Sequence, residues 1–177
     1  MISIKDDIKV AGIETDSIVD GPGLRFTIFF QGCPRFCDGC HNPESISFDA
    51  GEEYTTEQLL SKIDKNPLIQ GVTFSGGEPL SRAKALLPLV QEIEARNLDL
   101  AVYTGYTFEE ILEDGDTSVL ELLSKITVLI DGPFILSQKS LTLPFRGSAN
   151  QRILDIKQSI NEKKAVPISD NSWMYQG

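Results

Sequence analysis

Leu24–Gln31 reads LRFTIFFQ, a run of β-branched and aromatic residues after the turn Gly21-Pro22-Gly23. It predicts a buried strand. Gly71–Ser75, Leu98–Thr104 and Ile126–Ile130 are further short apolar runs bounded by turn residues, and Gln151–Ile156 has the same form. Helical spacing fills the gaps between them. Thr55–Lys65 opens with Thr55 and Gln58 at capping-box spacing. Arg82–Arg96 places Leu86, Leu89, Val90 and Ile93 on one face, with Pro88 predicting a helix start or a bend inside it. Phe108–Leu112 and Val119–Leu123 are shorter helical pieces around Asp114-Gly115-Asp116. Strand–helix alternation predicts right-handed crossovers and a mainly parallel sheet. A full eight-unit barrel takes about 250 residues. The 177 residues present predict an α/β fold forming an open, incomplete (β/α) barrel. A single domain over 1–177 is expected, with a core near 16–156 and a weakly patterned tail over 164–177 that Trp173 and Tyr175 could anchor.

Several loops lie just after predicted strands, where parallel α/β folds place their chemistry. They are Gly32–Cys40, Ser75–Pro79, Thr104–Tyr106 and Asp131–Pro133.

Composition narrows the partners. The formal net charge is −10, which opposes binding to nucleic acid phosphates or anionic membrane surfaces. No apolar run approaches the length of a membrane span. Met1–Val10 is charged and lacks a signal-peptide core, so a cytoplasmic location is expected. All three cysteines, Cys33, Cys37 and Cys40, fall within eight residues. An odd, tight cluster is a poor disulfide framework and points to thiolates on metal.

Short spacing lets one loop wrap a compact metal centre. Three thiolates on a [4Fe–4S] cube leave one iron open to another ligand, which favours chemistry over plain electron transfer. Structural zinc with His41 as a fourth ligand is the rival. Zinc usually draws ligands from two separated pairs, and His41 directly follows Cys40.

The spacing Cys33-x3-Cys37-x2-Cys40 after a first barrel strand resembles the radical S-adenosylmethionine superfamily. That resemblance implies a radical-SAM barrel, one [4Fe–4S] cluster on Cys33, Cys37 and Cys40, and S-adenosylmethionine on the fourth iron. It implies reductive cleavage of that cofactor to methionine and a 5'-deoxyadenosyl radical. Ser75-Gly76-Gly77-Glu78-Pro79 resembles the superfamily's cofactor loop, with Gly76, Gly77 and Glu78 as cofactor-binding candidates. Gly77 is the leading one for the cofactor's amino group, and Glu78 can instead hold the loop. Gly39, Cys40 and His41 are candidates near the adenine.

The series DGPGLR, QGC, CDGCHNP, SGGEPL, YTGY, IDGPF and FRGSANQR is similar to the activators of anaerobic ribonucleotide reductase. This implies hydrogen abstraction from a glycine near the C-terminus of the reductase large subunit. It also implies a reducing donor such as flavodoxin or ferredoxin. Gly39 before the last cysteine favours this branch over pyruvate formate-lyase activators, where an aromatic residue is common. Tyr103 stands where larger activators can carry an Asp for a monovalent cation. An activator of another glycyl-radical enzyme, of the pyruvate formate-lyase type, is the near alternative. A non-catalytic zinc or iron–sulfur module is the alternative from another class.

Overall fold

A computed structural model describes residues Met1–Met174; Tyr175, expected as a tail anchor, lies outside the described residues. The strands are β1 (Lys9–Ser17), β2 (Arg25–Phe30), β3 (Glu52–Glu53), β4 (Gly71–Gly76), β5 (Asp99–Tyr103), β6 (Val128–Asp131) and β7 (Arg152–Asp155). The helices are α1 (Thr56–Ile63), α2 (Ala83–Ala95), α3 (Phe108–Asp114), α4 (Thr117–Leu123) and α5 (Ile156–Glu162). The strands form one sheet in the order β3-β1-β2-β4-β5-β6-β7. β2, β4, β5 and β6 run parallel. β1 joins β2, and β7 joins β6, antiparallel. The result is a mixed α/β fold on a mostly parallel central sheet, whose end strands do not pair with each other among the described residues.

The capping box at Thr55 and Gln58 is present. Thr107 and Glu110 form a second one at the start of α3. α2 runs without a break through Pro88, so no helix begins there. Three elements were not legible: β1, β3, which is only two residues long, and α5. β1 carries Gly12, Glu14 and Asp16, and bulges on either side of its centre break the two-residue period. The cysteine loop therefore follows the second strand in the chain, although β2 is the first strand of the parallel set. α5 is short and begins on the Asp155 side-chain cap.

Alternation along the strands separates two faces. Phe26, Ile28 and Phe30 of β2 join Val72, Phe74, Leu100, Val102 and Leu129 in the main core. All five helices contribute to that core, from Leu59 of α1 to Ile156 of α5. The other face bears Ala101, Tyr103, Val128, Ile130 and Ile153, covered by Phe145, Ile168 and Trp173. Thus loops and the C-terminal segment, rather than helices, cover the second face. Trp173 is buried.

Arg25 points into this second face and is fully buried. It donates to Thr73 Oγ1 at 2.8 Å, to the Val72 carbonyl at 2.9 Å and to Asp99 at 2.5 Å. Asp99 stays 39% exposed, so losing Arg25 would leave that carboxylate hydrated. The main loss would be the charged donor that Thr73 Oγ1 and the Val72 carbonyl share. Arg25→Leu is therefore expected to cost about 2 kcal/mol, the range for buried hydrogen bonds to a charged group, read from urea unfolding.

Candidate active site

β2 ends at Phe30, and the chain turns at Gly32, whose φ is +98°. The cysteine loop is clamped at its exit and return. Gly32 N–H donates to the Ser45 carbonyl at 2.7 Å, and Cys33 N–H donates to that of Ile46 at 2.9 Å. The buried Gln31 amide donates to the carbonyls of Glu44 and Ser47. Arg82, also buried, donates twice to the Gln31 carbonyl and pairs with Asp7. Within the loop, Cys40 N–H donates to the Cys37 carbonyl at 3.2 Å.

The glycine loop meets this clamp backbone to backbone. Gly77 N–H donates to the Phe30 carbonyl at 2.8 Å, and Glu78 N–H to that of Gly32 at 2.9 Å. A Cβ on Gly77 would lie 2.4 Å from the Gly32 oxygen, and one on Gly76, whose φ is +93°, 2.4 Å from Phe30 N. The glycines thus serve close backbone approach as well as ligand access. The Gly77 N–H is spent on β2, and its carbonyl has no backbone partner among the described residues.

Glu78 is fully buried. Its carboxylate accepts from Leu80 N–H at 3.0 Å, Thr104 Oγ1 at 2.9 Å and Gly105 N–H at 2.8 Å. It therefore ties the glycine loop to the loop after β5. Arg35 of the cysteine loop lies over the Tyr106 ring, 4.8 Å from its centroid. Gly132 N–H donates to the Tyr106 carbonyl at 2.9 Å. Asp131 accepts from Phe108 N–H and from Arg152, so it caps α3, as an ordinary strand-end Asp does. Asn150 and Gln151 donate to the carbonyls of Pro133 and Gly132. Each loop after the parallel strands is thereby fixed to its neighbour.

These loops enclose one cavity of about 560 Å³. Cys33, Cys37, Cys40 and His41 line it from the first loop; Gly76, Gly77 and Glu78 line it from the second. The later loops add Tyr103, Thr104, Gly132 and Arg146. A separate cavity of about 660 Å³ lies beside β1 and α1, away from the thiols. Gly39 departs from expectation. It does not line the site; its φ is +70°, and a Cβ there would lie 2.8 Å from the Leu136 side chain. The missing side chain serves loop shape and the close approach of Leu136. His41 stacks beside Phe134 at 4.8 Å between centroids.

The donor set fits an iron–sulfur cluster. Three half-buried thiols share one cavity wall. Among the described residues, no three His, Cys, Asp or Glu side chains converge on the space of a single ion. An all-thiolate set on one wall is the soft donor chemistry that iron–sulfur clusters take. Burial pushes the Cys33 thiol up to about 11. Its proton must therefore leave as a metal binds.

Sequence reasoning missed Gln31, Arg35 and Arg82 as supports, and Phe134 beside His41. Buried arginines carry no periodic signal, since their partners are backbone carbonyls far along the chain.

The loops define a single-cluster iron–sulfur protein, and the model of the 4Fe-4S single cluster domain matches residues 19–154. The anaerobic ribonucleoside-triphosphate reductase-activating protein of Haemophilus influenzae is 40% identical over 144 residues, 77% of this chain and 90% of that relative. Its Escherichia coli counterpart is 34% identical over 142 residues, 76% of this chain and 90% of the relative. The pyruvate formate-lyase-activating enzyme of Clostridium pasteurianum is 37% identical over 123 residues, 64% of this chain and 52% of that enzyme. The chain belongs to the family of anaerobic ribonucleoside-triphosphate reductase-activating proteins.

Burial raises the Glu78 carboxyl to about 7, against three donated hydrogen bonds that pull it down. A carboxyl whose folded pKa lies above its unfolded value favours the folded state below the unfolded pKa. That contribution is lost as pH rises through about 7. Wild-type metal-free protein should therefore lose up to about 3 kcal/mol between roughly pH 4.5 and 7 from this group. In paired urea titrations, Glu78→Gln should flatten that slope, and its amide should also strain the contact with the Gly105 N–H.

Proposed function

We propose that this protein is a radical S-adenosylmethionine enzyme that installs a glycyl radical on the large subunit of anaerobic ribonucleotide reductase. The observation that carries the reading is the convergence of Cys33, Cys37 and Cys40 with the Gly76-Gly77-Glu78 loop on one cavity, in a chain of the activating-protein family. When bound, a [4Fe–4S] cluster supplies the electron that cleaves S-adenosylmethionine to methionine and a 5'-deoxyadenosyl radical.

The chain's own residues bind and orient. Cys33, Cys37 and Cys40 would hold the cluster, three thiolates for four irons, so that one iron would remain for the cofactor. The carbonyl at Gly77 would receive the cofactor's amino group, while Glu78 fixes the loop that presents it. His41, braced on Phe134, offers a ring to the adenine, and Cys40 positions it. No side chain acts as general acid or base, because the bond-breaking electron comes from outside the polypeptide.

The sheet, read as an incomplete radical-SAM barrel forming a single domain over 1–177, leaves a side open for a protein glycine to enter. Its mostly parallel strands, with helices packed on one face, support that reading. Free thiols support a reducing cytoplasmic setting, and a low-potential donor such as flavodoxin or ferredoxin is the expected electron source.

Anaerobic mixing of reconstituted protein, reductant, S-adenosylmethionine and reductase tests this. A glycyl-radical EPR doublet on the reductase, with release of 5'-deoxyadenosine, is expected. A doublet only on pyruvate formate-lyase would move the assignment to that class. A colourless protein holding one zinc would replace it with a binding module. Cys37→Ser should lose cofactor cleavage by at least about a hundredfold, as loss of an essential ligand does, while far-ultraviolet circular dichroism stays unchanged.

A further inference from the structure

The C-terminal segment lies beyond residues 19–154 that the family model matches, yet it is docked with care. Asp155 N–H donates to the Val166 carbonyl at 2.9 Å, and Ile168 N–H to that of Ile153 at 2.9 Å. The segment thereby follows the outer edge of β7. It ends on Trp173, the chain's sole tryptophan, which is 4% exposed.

Trp173 touches both sides of the second sheet face. Its ring meets Phe145 edge-on, with centroids 5.5 Å apart. The Arg25 guanidinium lies 5.5 Å from the ring centroid. A Cβ added to Gly21 would fall 2.9 Å from the indole. The residues it touches lead directly to the cavity wall. Asp20, next to Gly21, lines the cavity, as do Phe145 and its neighbour Arg146. Phe145 has a φ of 55°, uncommon for an aromatic residue. Its carbonyl accepts from Tyr103 Oη at 2.8 Å. Such a conformation persists only where its surroundings impose it. Tyr103 and Trp173 impose it here.

A complete barrel fills its interior with side chains from every strand. This sheet stops short of closure, so the strands leave one face without a full complement. Trp173 occupies that place from a segment that is not a strand of the parallel set.

We infer that Trp173 is a positioning residue for S-adenosylmethionine, plugging the open sheet from below and setting the cavity wall formed by Asp20, Phe145 and Arg146. This rests on the function proposed above. The clamps on the cysteine loop do not involve Trp173, so cluster assembly is independent of the plug.

Anaerobically reconstituted full-length protein tests the inference through three measurements: iron and sulfide content, the Kd for S-adenosylmethionine by equilibrium dialysis, and KM and kcat for 5'-deoxyadenosine release. Trp173→Leu should retain full cluster content and raise Kd and KM by about tenfold, with a far smaller change in kcat, the pattern of lost binding rather than lost chemistry. Trp173→Phe keeps a ring against Phe145 and Arg25 and should restore both to within about threefold. Trp173→Met keeps apolar bulk but offers no ring face to Arg25, and should raise Kd by a smaller factor, which keeps the test intact should Trp173→Leu fail to fold. Unchanged Kd and KM in fully loaded variants would overturn the inference. So would loss of cluster content in step with loss of affinity, which marks a general structural role. If wild-type protein releases no 5'-deoxyadenosine, the proposed function fails instead.

Discussion

Two backbone hydrogen bonds join the glycine loop to the exit of β2, from Gly77 N–H to the Phe30 carbonyl and from Glu78 N–H to the Gly32 carbonyl. They require backbones to pass at a distance that no side chain tolerates, which is why Gly76 and Gly77 are both glycine. Once the loops touch there, Glu78 is carried into the interior. Its three accepted hydrogen bonds then fix the loop after β5 to the same point. The cavity exists because these loops cannot move independently. A buried carboxylate is an expensive way to join them, since desolvation opposes its charge. In exchange, the charge attracts donors from two loops at once.

The sheet explains where this contact can form. Parallel strands bring all their C-terminal ends to one edge. β2, β4, β5 and β6 deliver the cysteine, glycine, Thr104–Tyr106 and Asp131–Pro133 loops side by side in the sheet order. The antiparallel β1 and β7 extend the sheet and shield the flanks of the parallel set, and the segments after β1 and before β7 reach the cavity through Asp20 and through Arg146 and Gln151. Helices gather on one face only, leaving the other free to be shaped by loops.

Much of this was legible because the informative residues are local. Thr55 with Gln58, the apolar face of Leu86 to Ile93, and the three cysteines each carry their meaning within a dozen residues. The parallel strands were legible because burial on both faces leaves continuous apolar runs. β1 was not, since its outer edge is largely solvent-facing and its bulges interrupt alternation. Gly39 was placed near the adenine by the family resemblance; the constraints on it that the sequence hides are its positive φ and Leu136, almost a hundred residues away in the chain. Arg25, Arg82 and Gln31 look like surface residues in a sequence. Each is buried because it satisfies backbone carbonyls that the sheet and loops leave exposed inside. Only the tertiary structure creates those partners.

The open sheet carries a physical consequence for the face opposite the helices. A closed barrel satisfies its interior by symmetry, each strand contributing side chains to common layers. Here Arg25, Thr73 and Tyr103 share that face with Ala101, Val128 and Ile130, so the interior is polar toward β2 and apolar toward β6. A single filler must therefore offer an apolar body and a face that accepts a cation. An indole does both, since its π-face attracts a guanidinium while its bulk excludes water. Trp173 lies with Phe145 on one side and Arg25 on the other, at the junction of the two halves. The polar half continues upward through Thr73 and Asp20 to the cavity, and the apolar half continues through Phe145. The filler beneath the site and the walls around it are therefore one mechanical unit, which is how a segment remote from the cysteines acquires a bearing on what binds above it.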